Sequence, residues 1–185
     1  MLNARRCALA CAVLCLGLST RPALAQDPFP KPGPEHEVLK QDVGTWDATV
    51  ELMAQPGMPA QTSKGTETIT LMDGGLWTVV DFKTTLMNTP FHGHGTSGFD
   101  PTKKKYVTTW VDSMSAGITL GEATYDKATK TMKGFIVGPD PTGNPMKMNQ
   151  TVEWKDADTR ILTMAFPGPD GKDITNMKIT YKRRK

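Results

Sequence analysis

Gly44-Thr45-Trp46-Asp47-Ala48-Thr49-Val50-Glu51-Leu52-Met53 is the stretch that decides the fold. Trp46, Ala48, Val50 and Leu52 alternate with Asp47, Thr49 and Glu51. Successive side chains of a strand face opposite sides, so the stretch reads as a strand, 45–53, with one buried face. The rhythm returns over 62–71, 76–83, 90–99, 105–112, 117–125, 131–137, 146–154, 160–166 and 173–182, with Gly, Pro, Asp or Lys-rich turns between. Short strands joined by short turns predict an all-β domain: an up-and-down antiparallel barrel of about ten strands that closes on itself and so leaves no exposed edge.

Upstream of the first strand, Val38, Leu39 and Val43 share one helical face, and the acidic Glu35 and Glu37 stand early. A helix of one to two turns is therefore predicted over 35–43, stopped by Gly44 and lidding one barrel end. Residues 26–34 carry Pro at 28, 30, 32 and 34 and read as an extended spacer. Residues 1–25 read as a signal peptide: Arg5 and Arg6, an apolar run from Cys7 to Leu18, then Ala23-Leu24-Ala25 before Gln26. That run is shorter than the roughly 20 residues that span a bilayer. The expectation is an exported, periplasmic chain with no transmembrane segment after cleavage and a single barrel domain over 35–185.

Cys7, Cys11 and Cys15 all lie in the leader, so a cleaved chain has no cysteine and rests on its core alone. Removing Arg5, Arg6 and Arg21 with the leader leaves 19 basic against 19 acidic residues. Four of those 19 basic residues crowd the tail, Lys182-Arg183-Arg184-Lys185, expected to be solvated. A nucleic-acid reader needs a basic stripe on its folded body, and none is present in the sequence.

His92-Gly93-His94 places two imidazoles on one strand face, and neutral imidazoles are common ligands for zinc, copper and iron. A third ligand would have to come from Glu122, Asp112 or His36 through the fold. Met146-Lys147-Met148 puts two thioethers on one face, which suits either a Cu(I) site or the lining of an irregular apolar cavity. Of the 4 tryptophans, Trp46 is assigned to the barrel floor and Trp110 to a pocket, because Trp110 shares a face with Tyr106 and Asp112. Glycines 93, 95 and 98 suggest a bent strand or the close approach of something bound. No Gly-x-Ser-x-Gly elbow, phosphate loop or zinc-protease pair is present. Asp81, Asp112 and Glu122 are the carboxylates that acid–base chemistry would use if buried.

The chain resembles a family of bacterial proteins called domain of unknown function 1579. The carriers are His36-x-x-Leu39 with Gly44-Thr45-Trp46, Gly65-Thr66-Glu67, Gly74-Gly75, Gly93-x-Gly95, and Gly98-Phe99-Asp100 with Lys103-Lys104-Lys105-Tyr106. Trp110-Val111-Asp112-Ser113-Met114, Gly121, Tyr125-Asp126, Gly171-Lys172 and Ile179-Thr180-Tyr181-x-Arg183 complete it. The resemblance implies a calycin-like barrel related to lipocalins and fatty-acid-binding proteins, and it implies no activity, ligand or catalytic residue. In lipocalins a late Arg covers the Trp of the first strand, which here points to Arg183 or Lys182 over Trp46.

The leading expectation is a barrel holding a small apolar or amphipathic molecule against Tyr106, Trp110, Asp112, Met146, Met148, Gln150 and Tyr181, with Thr163 as a further polar group. The rivals are a metal or haem-associated protein using His92 and His94, a small enzyme using Asp112 or Glu122, and a solid structural or interaction module. The sequence names no cofactor, no partner protein and no oligomeric state.

Overall fold

A computed structural model describes residues 29–140 and 142–185. The expected signal peptide, 1–25, and the first spacer residues, 26–28, lie outside the described residues. The barrel belongs to the second of two units, Lys31–Lys185.

One short helix, α1 (His36–Lys40), precedes ten strands: β1 (Gly44–Leu52), β2 (Gln61–Leu71), β3 (Trp77–Leu86), β4 (Thr89–Asp100), β5 (Lys105–Asp112), β6 (Thr119–Asp126), β7 (Thr131–Pro139), β8 (Pro145–Asp156), β9 (Thr159–Pro167) and β10 (Asp173–Arg183). Each pairs antiparallel with its chain neighbours, and β1 closes on β10 from Trp46 opposite Arg183 to Leu52 opposite Met177. Among the described residues no helix is long and apolar enough to cross a membrane.

The turns follow from side-chain chemistry. Asp100, Asp126, Asp156 and Asp170 each accept, through Oδ1, a hydrogen bond from the backbone N–H two residues on. An Asp carboxylate thereby stands in for a backbone carbonyl and folds the chain back. The β3–β4 hairpin is an exception: Met87 and Asn88 both take positive φ, 49° and 60°, in a two-residue turn. Positive φ at both positions matches the twist of paired strands, so β3 and β4 run on to Leu86 and Thr89 past the ends expected at 83 and 90.

The core sits against the closing seam. Trp46, Ala48, Val50, Phe82, Leu162, Ile179 and Tyr181 form one buried cluster, with Trp46 at 0% and Val50 at 1% exposure. Of the four β1 residues that the alternation sent inward, Trp46, Ala48 and Val50 are buried there and Leu52 is half-buried.

Candidate functional site

α1 lies at one end of the barrel, the sealed end, and among the described residues no helix lies at the other, the open end. At the sealed end, α1 and the turn after it lie beneath Trp46, as the sequence led us to expect. Trp46 Nε1 donates to the Asp42 carbonyl at 2.8 Å, Trp154 Nε1 donates to Asp42 Oδ1 at 2.7 Å, and Tyr106 Oη donates to the Glu35 carbonyl at 2.9 Å. Arg183 lies over the Trp46 ring at 4.0 Å and donates to the Val43 carbonyl at 2.7 Å. Of the two basic residues offered as a cover for Trp46, it is therefore Arg183 that stacks on the ring. The tail is not a free solvated end: Lys182 donates to Thr159 Oγ1 and Arg184 pairs with Asp47.

An ion cluster that the alternation did not reveal is buried in this floor. Arg160 pairs with Glu67, both side chains being 7% exposed, and its Nε lies 3.6 Å from Asp42 Oδ1. The guanidinium also covers the Tyr181 ring at 4.1 Å. Burial pushes the Asp42 carboxyl above its ordinary range, against the opposing pull of Arg160, Trp154 and Arg183. Burial likewise pushes the Tyr106 and Tyr181 hydroxyls up to about 12. Tyr106 and Tyr181, expected to touch a ligand, are 5% and 2% exposed and form the floor.

The open end is built differently. Pairing carries one inward row from Gly95 opposite Trp110 and Gly93 opposite Asp112 to Gly134 opposite Gln150, Ile136 opposite Met148 and Gly138 opposite Met146. Trp110, Asp112, Met146, Met148 and Gln150 therefore face the interior together. A Cβ at Gly93 would lie 2.1 Å from Trp110 Cζ2, and one at Gly95 2.9 Å from Trp110 Cε3. The close approach those glycines signalled is to the chain's own indole. Trp110 Nε1 donates to Asp112 Oδ2 at 3.0 Å, and Asp112 Oδ1 accepts from the Met114 N–H at 2.9 Å.

Inward-facing Thr108, Met132, Val152 and Gln150 line a cavity of about 30 Å³. Among the described residues none hydrogen-bonds the Gln150 side-chain amide. Asn176, at the bulge between Thr175 and Met177, donates to Met148 Sδ at 3.7 Å, while its buried Oδ1 has no partner. The bulge re-aims this amide, and no alternation pattern announces it. The rim is apolar: Met114, Ile118 and Ile174 are exposed.

Thr163 does not join this group. It pairs with Thr151 on the outer wall and lines a groove of about 590 Å³ there, with Thr124, Lys133 and Glu153. Glu122 is also outside, paired with Lys103 at 2.8 Å and Lys105 at 2.6 Å, and those ammonium groups hold its carboxyl down at about 2. His92 and His94 face outward too, with Asp81 beside them. Glu122, Asp112 and His36 supply no ligand to that pair: Glu122 and Asp112 are engaged as described, and His36 Nδ1 accepts from the Gly33 N–H near α1.

Residues 31–183 match the family model described as "Protein of unknown function (DUF1579)". The chain belongs to the DUF1579 family. Its barrel superposes on the crystal structure of Rv2717c from M. tuberculosis with a TM-score of 0.64 at 10% identity, covering 83% of this chain and 99% of that one. The S-type phycobiliprotein lyase CPES from Guillardia theta superposes with a TM-score of 0.57 at 13% identity, covering 82% and 93%. These likenesses establish the calycin-like barrel for this DUF1579 member. No curated protein matches it in sequence.

Proposed function

We propose that this chain is an exported binding protein that holds one small apolar or amphipathic molecule in the open half of its barrel. The observation that carries the reading is Asn176 Oδ1, buried among thioethers without a hydrogen bond, with the half-buried Gln150 amide beside the small interior cavity. A buried polar atom without a hydrogen bond costs about 1–3 kcal/mol, so a native chain that keeps one inside commonly satisfies it with something bound. The existing cavity of about 30 Å³ takes no more than one water. Small-molecule sites usually occupy about 300–1,000 Å³, so room for a larger guest has to be made.

Methionine makes room cheaply. Met132, Met146, Met148, Met164 and Met177 occupy inward register positions, and an unbranched thioether has three rotatable bonds with which to swing aside. Trp110 offers a flat wall and Asp112 one fixed polar group, while Tyr106 and Tyr181 bound the space from below. A barrel of this architecture serves as a phycobiliprotein lyase, which supports use of the fold on another molecule; at 13% identity it lends no ligand.

Native mass spectrometry of protein purified from its own host tests this reading. The expected spectrum shows a constant added mass that leaves on denaturation, on a chain beginning at Gln26. Binding of anilinonaphthalene sulfonate should fall at least about tenfold in Gln150→Leu, since an amide built to be paired discriminates strongly. A bare mass in every preparation, with no dye uptake, would mean a solid barrel.

A further inference from the structure

On the outer wall of the β3–β4 hairpin, away from the lumen, Asp81 lies directly opposite His94 and Lys83 opposite His92. His92 and His94 are two apart on β4 and share this face, with ring centroids 4.4 Å from each other. Asp81 Oδ2 is 2.9 Å from His92 Nε2 and 3.5 Å from His94 Nδ1. Among the described residues this is the group of three whose potential ligand atoms all fall within 4.8 Å of one another. We propose that Asp81, His92 and His94 form a three-ligand site for one zinc-class divalent ion.

The geometry is already close to what an ion would impose. Ligands about 2.0–2.2 Å from a tetrahedral zinc sit about 3.3 Å apart, and the two imidazole–carboxylate separations bracket that distance. Two imidazoles and one carboxylate suit zinc, copper(II) or nickel and are poor for magnesium or calcium, which take oxygen ligands. The carboxylate is also oriented from behind: Lys83 Nζ lies 3.3 Å from Oδ1, leaving Oδ2 to face both rings. Such an outer partner is what fixes a ligand's direction in established metal sites. The side chains are 37%, 43% and 53% exposed for Asp81, His92 and His94, so an ion enters freely and keeps at least one position for water.

Nothing in this arrangement depends on the lumen or on its guest. The flanking positions Val80, Phe82, Gly93 and Gly95 of β3 and β4 face inward, and the three ligands alternate with them. The hairpin therefore carries core on one face and a donor set on the other. Sequence spacing disclosed the two histidines; the carboxylate is supplied by the register of the neighbouring strand.

The test is zinc titration of the untagged full chain by calorimetry, with imidazole nitrogen shifts followed by NMR. Cys7, Cys11 and Cys15 carry thiols, a residue type that itself takes zinc, so every comparison is made between variants of the same chain. We expect zinc to shift the nitrogens of His92 and His94 and leave those of the buried His36 in place. His92→Ala with His94→Ala, and separately Asp81→Ala, should each weaken one equivalent of binding by at least about 100-fold, beyond what losing a mere orienting partner costs. All three positions are on the exposed wall, and far-UV circular dichroism confirms folding; His92→Gln with His94→Gln repeats the measurement where the alanine pair fails it. Unchanged affinity in the double histidine variant overturns the site. Loss in that variant with full affinity in Asp81→Ala also overturns it, leaving two imidazoles that chelate without the carboxylate.

Discussion

The two ends of this barrel handle buried polar groups in opposite ways. At the floor, charge is met by charge: Arg160 lies between Glu67 and Asp42 and covers Tyr181, and Arg183 closes over Trp46. Among the described residues, only Arg160 Nε and Gln41 Nε2 are buried there without a hydrogen bond. At the mouth, the Gln150 amide and Asn176 Oδ1 face thioethers and a small void. A paired and aromatic-covered network has one arrangement, and methionines around unpaired amides have many. The contrast teaches that one closed sheet carries an ion-paired, aromatic-covered floor at one end and a thioether-lined interior at the other.

The comparison breaks first at Arg160. Arg160→Ala leaves Glu67 and Asp42 buried without their counter-cation, and breaking a buried pair on one side costs about 3–5 kcal/mol. Urea unfolding followed by tryptophan emission should show that loss. A change below about 1 kcal/mol would mean that the floor does not set the stability of the barrel.

Gly93→Ala probes the mouth with a smaller expected loss. The new methyl would lie 2.1 Å from Trp110 Cζ2, so the indole has to leave β4 and its bond to Asp112. Overpacking of this kind costs about 1–3 kcal/mol. Because the indole moves toward solvent, its emission should shift to longer wavelength while Arg183 still covers Trp46. Unaltered emission would place Trp110 among the rigid parts and blur the distinction between the two ends.

How far these features were legible in the sequence depends on whether they are local. Trp46, Ala48, Val50 and Leu52 announced their inward face because strand period is a local property, and Asp100 and Asp126 announced turns for the same reason. The Met87-Asn88 turn was missed because no glycine marks its two positive φ values. Glu67 and Arg160 are separated by 93 residues and meet only once the barrel closes. Asp81 reaches His94 through the register of β3 on β4, and Asn176 through a bulge; neither is encoded by spacing along one strand. Thr163 was placed inside when its strand sets it outside, since the nearly continuous apolar run Ile161-Leu162-Thr163-Met164-Ala165-Phe166 carries little sense of face.

The smallest effect, on the outer wall, fixes the scale against which both ends are judged. Lys103 and then Lys105 hold the Glu122 carboxyl at about 2, below its ordinary 4.5. The unfolded chain therefore takes up a proton at Glu122 before the folded chain does, and the contribution present above about pH 4.5 is lost as pH falls through about 2. Solvent screens such a pair, so its share is slight, and Glu122→Gln should match the unmutated chain at pH 2 and fall only a little below it at pH 6. Asp42 at the floor has the opposite sign. Its carboxyl is raised, so the folded chain binds the proton first and stability falls as pH rises through the folded value. Asp42→Asn removes that fall while keeping an oxygen to accept from Trp154 Nε1. Urea midpoints between pH 2 and pH 7 should then tilt in opposite directions for the two variants, and parallel profiles would show that the floor carboxyl is as well solvated as the one on the wall.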